Sequence, residues 1–118
     1  MRIAIVGSRN FIDYEKFCEL IKDKLQKGDI IVSGGANGVD QMARRYALEN
    51  LFFLNEFQAE WEIYGKLAGP MRNKKIIDNS DKMIAIIYGN SKGTRDAIDK
   101  MQKAMKPVEI IDLNQQSL

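Results

Sequence analysis

The chain of 118 residues contains no histidine. That absence excludes Ser–His–Asp and Cys–His catalysis and removes the commonest transition-metal ligand, so no metal site is expected. Cys18 is the single cysteine. An internal disulfide is therefore impossible, which fits a reducing compartment. Neither sign of charge dominates: Lys+Arg total 18 and Asp+Glu total 16, for a net +2. A balance this close disfavours nucleic acid or an anionic membrane as partner on charge alone. No apolar run approaches the roughly 18 residues that cross a bilayer. The N-terminus, Met1-Arg2-Ile3-Ala4-Ile5-Val6, runs straight into Gly7 with no small-residue cleavage site. It reads as a first strand rather than a signal peptide, and the expected location is the cytoplasm.

What is present is a folded domain. The length suits one domain, and 45% hydrophobic with 29% charged residues is ordinary for a globular chain. Residues 1–113 are expected to form that domain, with 114–118 as a frayed tail. Five segments read as strands: Arg2–Gly7, Asp29–Ser33, Phe52–Phe57, Lys82–Ile87 and Val108–Leu113. Ile3–Val6 and Met83–Ile87 are continuously apolar, the pattern of strands buried on both faces of a parallel sheet. Between the strands lie amphipathic stripes. Tyr14, Phe17, Cys18, Ile21 and Leu25 predict a helix over Tyr14–Lys27, capped by Asp13. Val39, Met42, Ala43, Tyr46 and Ala47 predict one over Gly38–Asn50. Ala97, Ile98, Met101, Ala104 and Met105 predict one over Thr94–Lys106, stopped by Pro107. A further helix is expected from Pro70 to Asn79, with proline at its first position. Strand–helix alternation implies parallel βαβ units with right-handed crossovers. The fold class is α/β: a single doubly wound sandwich, mainly parallel, with strand order 3-2-1-4-5.

Ligands of such folds bind beyond the carboxyl ends of the strands, where strand order reverses. Three loops meet there. Gly7-Ser8-Arg9 follows strand 1, Ser33-Gly34-Gly35-Ala36-Asn37-Gly38 follows strand 2, and Tyr88-Gly89-Asn90-Ser91-Lys92-Gly93-Thr94 follows strand 4. Glycines let backbone N–H groups approach a ligand, and helix starts add free donors with partial positive charge, which suits phosphate. No GxxxxGK[ST] and no GxGxxG accompanies the strands, so a P-loop NTPase and a generic dinucleotide dehydrogenase are poor fits. Arg72 and Asn73 sit one turn before Ile76 and Ile77 and so share the core-facing side of their helix, toward the ligand edge. An arginine there can grip a phosphate with two donors.

These segments together, with Ala59-Glu60-Trp61, Tyr64-Gly65-Lys66 and Ala68-Gly69-Pro70-Met71-Arg72-Asn73 between them, resemble the SLOG superfamily and specifically its YspA-like group, over about residues 1–112. The resemblance implies a Rossmann-like fold that binds a nucleotide or a nucleotide-derived, ADP-ribose-like ligand. Under it, phosphate sits on Gly89, Ser91, Lys92, Gly93 and Thr94, and Arg72 and Asn73 complete that wall. Gly7, Ser8 and Arg9 line the opposite wall. Ser33, Gly34, Gly35 and Asp40 reach a ribose or second phosphate, and Trp61 or Tyr64 stacks on a base. Two related groups supply alternatives. LOG phosphoribohydrolases use an Arg that Arg72 matches and a Glu in a PGGxGTxxE motif; here Gly93-Thr94 matches, Tyr88 replaces the proline and Ala97 replaces the glutamate. Arg72, Asp40 and Asp96 are the catalytic candidates on that reading, with Glu60 a further substitute carboxylate. DprA, a single-strand DNA loader, has an SGxARGID segment resembled by Ser33–Asp40, with Asn37 in place of the arginine. The leading expectation is a small-molecule nucleotide sensor, with nucleic acid disfavoured and a homodimer expected.

Overall fold

A computed structural model describes residues 1–115. Five strands, β1 (Arg2–Gly7), β2 (Ile30–Ser33), β3 (Phe53–Glu56), β4 (Lys82–Ile87) and β5 (Val108–Asp112), form one sheet. Every pairing is parallel and the order is β3-β2-β1-β4-β5, as expected. The helices are α1 (Tyr14–Ile21), α2 (Val39–Asn50), α3 (Trp61–Tyr64), α4 (Ala68–Asp78) and α5 (Lys92–Lys103). Alternate residues of the central strands feed two cores. Ile3, Ile5, Ile84 and Ile86 pack under Phe17, Ile21, Val39 and Ala43 of α1 and α2. Ala4, Val6, Met83, Ala85 and Ile87 pack under Ile76, Ile77, Ala97 and Met101 of α4 and α5. Burial on both faces is what the unbroken apolar runs require. Among the described residues no helix is long and apolar enough to cross a membrane.

Several boundaries differ from the sequence expectation, each for a local reason. Asp13 does cap α1, its carboxylate accepting from the Lys16 amide. The helix nevertheless ends at Ile21, and Leu25 reaches the core from the turn that follows. α4 begins at Ala68, so Pro70 is its third residue rather than its first. That position still has no intrahelical use for an N–H, so proline is accommodated. α5 begins at Lys92 and ends at Lys103. Met105 is then left-handed (φ 59°) and 92% exposed, not part of the apolar stripe. The Met105 and Lys106 amides bond back to the Gln102 and Met101 carbonyls, closing the helix end as a Schellman-like turn does. Lys106 also donates to the Ile77 and Ser80 carbonyls at the end of α4. Asn114 stands at the start of the expected tail. Its side chain accepts from the Gly89 amide and donates to the Gly89 carbonyl. Residues 116–118 of that tail lie outside the described residues.

The sheet brings the loops after β1 and β2 into direct contact. The Val39 amide at the start of α2 donates to the Ser8 carbonyl. Gly38 makes this approach feasible. It has φ +73°, and a Cβ there would sit 2.3 Å from the Ser8 carbonyl oxygen. Both backbone strain and collision oppose any other residue. Gly38→Ala is therefore expected to destabilise the protein by more than about 2 kcal/mol. Denaturant unfolding with an unchanged m-value checks this; a midpoint within error of wild type would show that the loop yields.

Candidate functional site

A cavity of about 310 Å³ opens at the carboxyl edge between β1 and β4. Val6, Ile76 and Ala97 form its apolar floor, and Gly7, Ser8, Arg9 and Asn10 one wall. Asp40 with Ala36, Arg72 with Asn73, and Asn90 to Thr94 close the others. A second, shallower pocket of about 220 Å³ adjoins it, lined by Gly34, Gly35, Ala36, Asn37, Gln58, Ala59 and Trp61. Arg9, Ala36 and Arg72 border both.

A hydrogen-bonded tie spans the cavity wall. Arg72 Nη1 donates to the Gly34 carbonyl at 2.7 Å, and its Nε donates to Asn73 Oδ1 at 3.0 Å. Asn73, 7% exposed, passes the link on through Nδ2 to the Gly93 carbonyl and to Asp96 Oδ2. The loop after β2 is thus joined to the start of α5 through α4. Gly34 permits the tie, since a Cβ there would meet Arg72 Nη1 at 2.6 Å. Burial lowers the Arg72 pKa, but a guanidinium begins so far above neutrality that it stays charged.

The start of α5 is left without a side-chain cap. Its cap residue Ser91 makes no side-chain cap bond, and no acidic residue occupies the first turn. The first turn instead carries Lys92 and Arg95, the wrong sign for the helix dipole. Free amides and misplaced cations together fit a ligand that brings its own negative charge. Thr94 is buried beside them.

Asp40 is the single carboxylate of the cavity lining. It is 6% exposed. Oδ2 accepts from the Ala36 amide at 3.1 Å, while Oδ1 has no partner among the described residues. Burial pushes its pKa up to about 6, against the opposing effects of that amide and the Arg72 charge. Ser33 Oγ is likewise buried without a partner at full hydrogen-bond geometry, but it stands near enough to Asp40 to favour the charged carboxylate, and it does not line the cavity.

The structure therefore gathers most of the expected residues around the two pockets, and leaves Ser33, Gly89, Tyr64, Asp96 and Glu60 outside both. Gly89 is engaged by Asn114. Tyr64 is exposed on α3 and lines neither pocket. Asp96 is turned aside: burial would raise its pKa, yet bonds from Lys100 and Asn73 outweigh that and lower it. Ala97, at the place of the missing glutamate, is on the floor itself. Asn10 and Gln58 line the pockets without having been named, while Ala36, Asn37 and Asn90 belong to the loops expected there but were given no ligand role. Nothing in their residue type marks them; only their adjacency to the glycine loops could have. Among the described residues no cluster of three or more Cys, Asp or Glu gathers that could hold a metal ion.

Comparison with known proteins now bears on this edge. The Gene 61 protein of Mycobacterium phage D29 is 35% identical over 116 residues, covering 91% of this chain and 93% of that protein. The chain belongs to the family of this phage protein. Residues 1–53 also match the family model of DNA recombination-mediator protein A. Two solved structures share the fold. DNA processing protein A (DprA) of Streptococcus pneumoniae matches with TM-score 0.77 and 20% identity over 92% of this chain. DNA processing protein A of Helicobacter pylori, described for its single-stranded DNA binding mode, matches with TM-score 0.71 and 23% identity over 93% of this chain. The chain spans 49% of the first and 64% of the second. The fold is thus Rossmann-like, as the SLOG resemblance implies, and residues 1–53 resemble DNA recombination-mediator protein A. The matches do not name the narrower YspA-like group.

These matches correct one expectation. Nucleic acid cannot be set aside as a partner when the matched family and a matched structure are DNA-handling proteins. The charge argument fails because net charge is an average. Arg44 pairs with Glu56, Arg45 with Glu49, Lys74 with Asp78, Lys100 with Asp96 and Lys103 with Asp99. Those pairs cancel elsewhere on the surface. Arg9, Arg72 and Lys92 have no ion pair among the described residues, and all three border the cavity.

The Asp40 geometry generates a pH prediction. An unfolded Asp titrates near 3.9, the native one near 6. Between these values the native state holds more protons, so stability falls as pH rises through the window and stays lower above it. The contribution is about 3 kcal/mol. Asp40→Asn removes it. The melting temperature of the variant relative to wild type should rise by roughly 5–10 °C between pH 4 and pH 7.5. A difference that does not change with pH would mean that Asp40 titrates normally.

Proposed function

We propose that this chain binds single-stranded DNA along its carboxyl edge, with a backbone phosphate in the cavity at the start of α5. The observation that carries this reading is the concentration of unpaired cations, Arg9, Arg72 and Lys92, around the uncapped α5 terminus. The match of residues 1–53 to DNA recombination-mediator protein A supports it. Backbone amides and a fixed guanidinium recognise phosphate without reading sequence, so binding is expected to be sequence-tolerant.

A mononucleotide or ADP-ribose-like ligand is the second reading, favoured by Asp40. An unpartnered carboxylate oxygen beside a phosphate site is suited to a ribose hydroxyl. Glycosidic hydrolysis is not adopted. It uses a pair of carboxylates, and this cavity offers one, with Ala97 at the other place.

Fluorescence anisotropy of a labelled oligothymidylate, titrated at several salt concentrations, tests the proposal. Three phosphate contacts predict a slope of about −2 for log K against log salt, at roughly 0.7 per contact on single strands. Lys92→Ala, an exposed change, should weaken binding and reduce that slope by about 0.7. No binding at low salt, with saturable binding of AMP or ADP-ribose instead, would replace the strand by the small ligand.

A further inference from the structure

The second pocket is built differently from the first. Its wall is Trp61, the only tryptophan in the chain, which is 49% exposed. The indole lies over Gly69 of α4, so closely that a Cβ there would come within 3.2 Å of Cη2. A side chain at that point would push the ring outward. The Arg9 guanidinium stands 5.9 Å from the ring centroid. That is the outer limit of a cation–π contact, beyond the separation of a direct stack, and the indole stays half-exposed. No aromatic ring packs on Trp61 among the described residues. A large amphipathic ring is thus held in place, half in water, at the rim of a pocket. Core packing does not ask for this; a flat ligand does.

The rest of the lining agrees. Asn37 and Gln58 place amide side chains on the pocket, each able to donate and accept. Gln58 is oriented by donating to Glu56 Oε2. No carboxylate lines the pocket. Arg9 and Arg72 stand between it and the phosphate cavity. A phosphate in one pocket therefore leaves the attached or neighbouring nucleotide beside the other, with both guanidiniums at the crossing.

We infer that the Trp61 pocket is a nucleobase subsite, in which a base of the bound strand stacks on the indole while Arg9 lies over the same stack. The inference rests on the strand-binding reading above and adds to it. It makes base stacking a separate part of the affinity from phosphate contact. It also makes Trp61 an intrinsic reporter of occupancy.

The test uses the full chain and two strands of equal length, oligothymidylate and a strand of abasic tetrahydrofuran units with the same phosphates. Binding is read twice, by anisotropy of a strand label and by Trp61 fluorescence. Oligothymidylate is expected to bind and quench Trp61. The abasic strand is expected to bind more weakly without quenching. Trp61→Ala should lose roughly 5- to 150-fold in affinity for oligothymidylate and little for the abasic strand, and Trp61→Phe should keep most of the affinity. The quenching arm needs no variant, so misfolding of Trp61→Ala cannot produce it. Oligothymidylate binding with unchanged Trp61 fluorescence and an unaffected Trp61→Ala would overturn the base subsite and leave strand binding standing. Equal binding of both strands would overturn it as well. Failure of the wild-type chain to bind either strand would overturn both readings.

Discussion

The candidate site depends on β1 being hydrogen-bonded in parallel on both of its edges, to β2 and to β4. The chain leaves β1 toward one side of the sheet and returns on the other. The loops that follow these three strands must then converge at one point of one edge. Nothing else in the molecule has to be special for a crevice to form there. What the loops do is keep it open and polar. Gly38 lets the loop after β2 meet the Ser8 carbonyl, and the tie from Gly34 through Arg72 and Asn73 to Gly93 fixes the remaining wall.

The site is held at an electrostatic cost. Arg72 is half-buried against a carbonyl and an amide rather than a carboxylate. Asp40 is buried with one oxygen unpaired, and the first turn of α5 carries cations against its dipole. None of these is the most stable local choice. Structures tolerate such groups where a ligand completes them, and here Arg72, Asp40 and Lys92 border one cavity, while Arg95 faces elsewhere. Elsewhere four ion pairs lie at helical spacing. The meeting of Arg9, Arg72 and Lys92 at one cavity gives the functional reading its direction.

The α/β alternation was legible because Ile3–Val6 and Met83–Ile87 carry no polar alternation, and because the stripes of α1, α2 and α5 repeat at helical spacing; the strand order was expected from the doubly wound class and is fixed by no residue pattern. The helix ends were less legible. Periodicity extends the α5 stripe to Met105, but the helix ends at Lys103 and the left-handed turn at Met105 leaves both Ala104 and Met105 in water. The short α3 was not legible at all, since four residues cannot show a period. In the site, the glycine loops and Arg72 were visible from residue type and offset. Asn10 and Gln58 were not, because a polar residue in a loop looks the same whether it faces a pocket or bulk water.

The sequence by itself determined the class of fold and brought its glycine loops and Arg72 to the edge where the cavity opens. Those properties follow from local rules: apolar period, turn chemistry and the obligatory side of parallel crossovers. Tertiary structure decided which charges remain uncompensated. Whether Arg9 or Lys92 finds a carboxylate depends on residues distant in sequence, and composition records only the sum of all charges. It also decided that Asp40 is buried while Asp96 is tied to Lys100, and that Trp61 faces the groove while Tyr64 does not. Neighbouring residues on a helix differ in direction by about 100°. Such differences become environments only when another element packs against them.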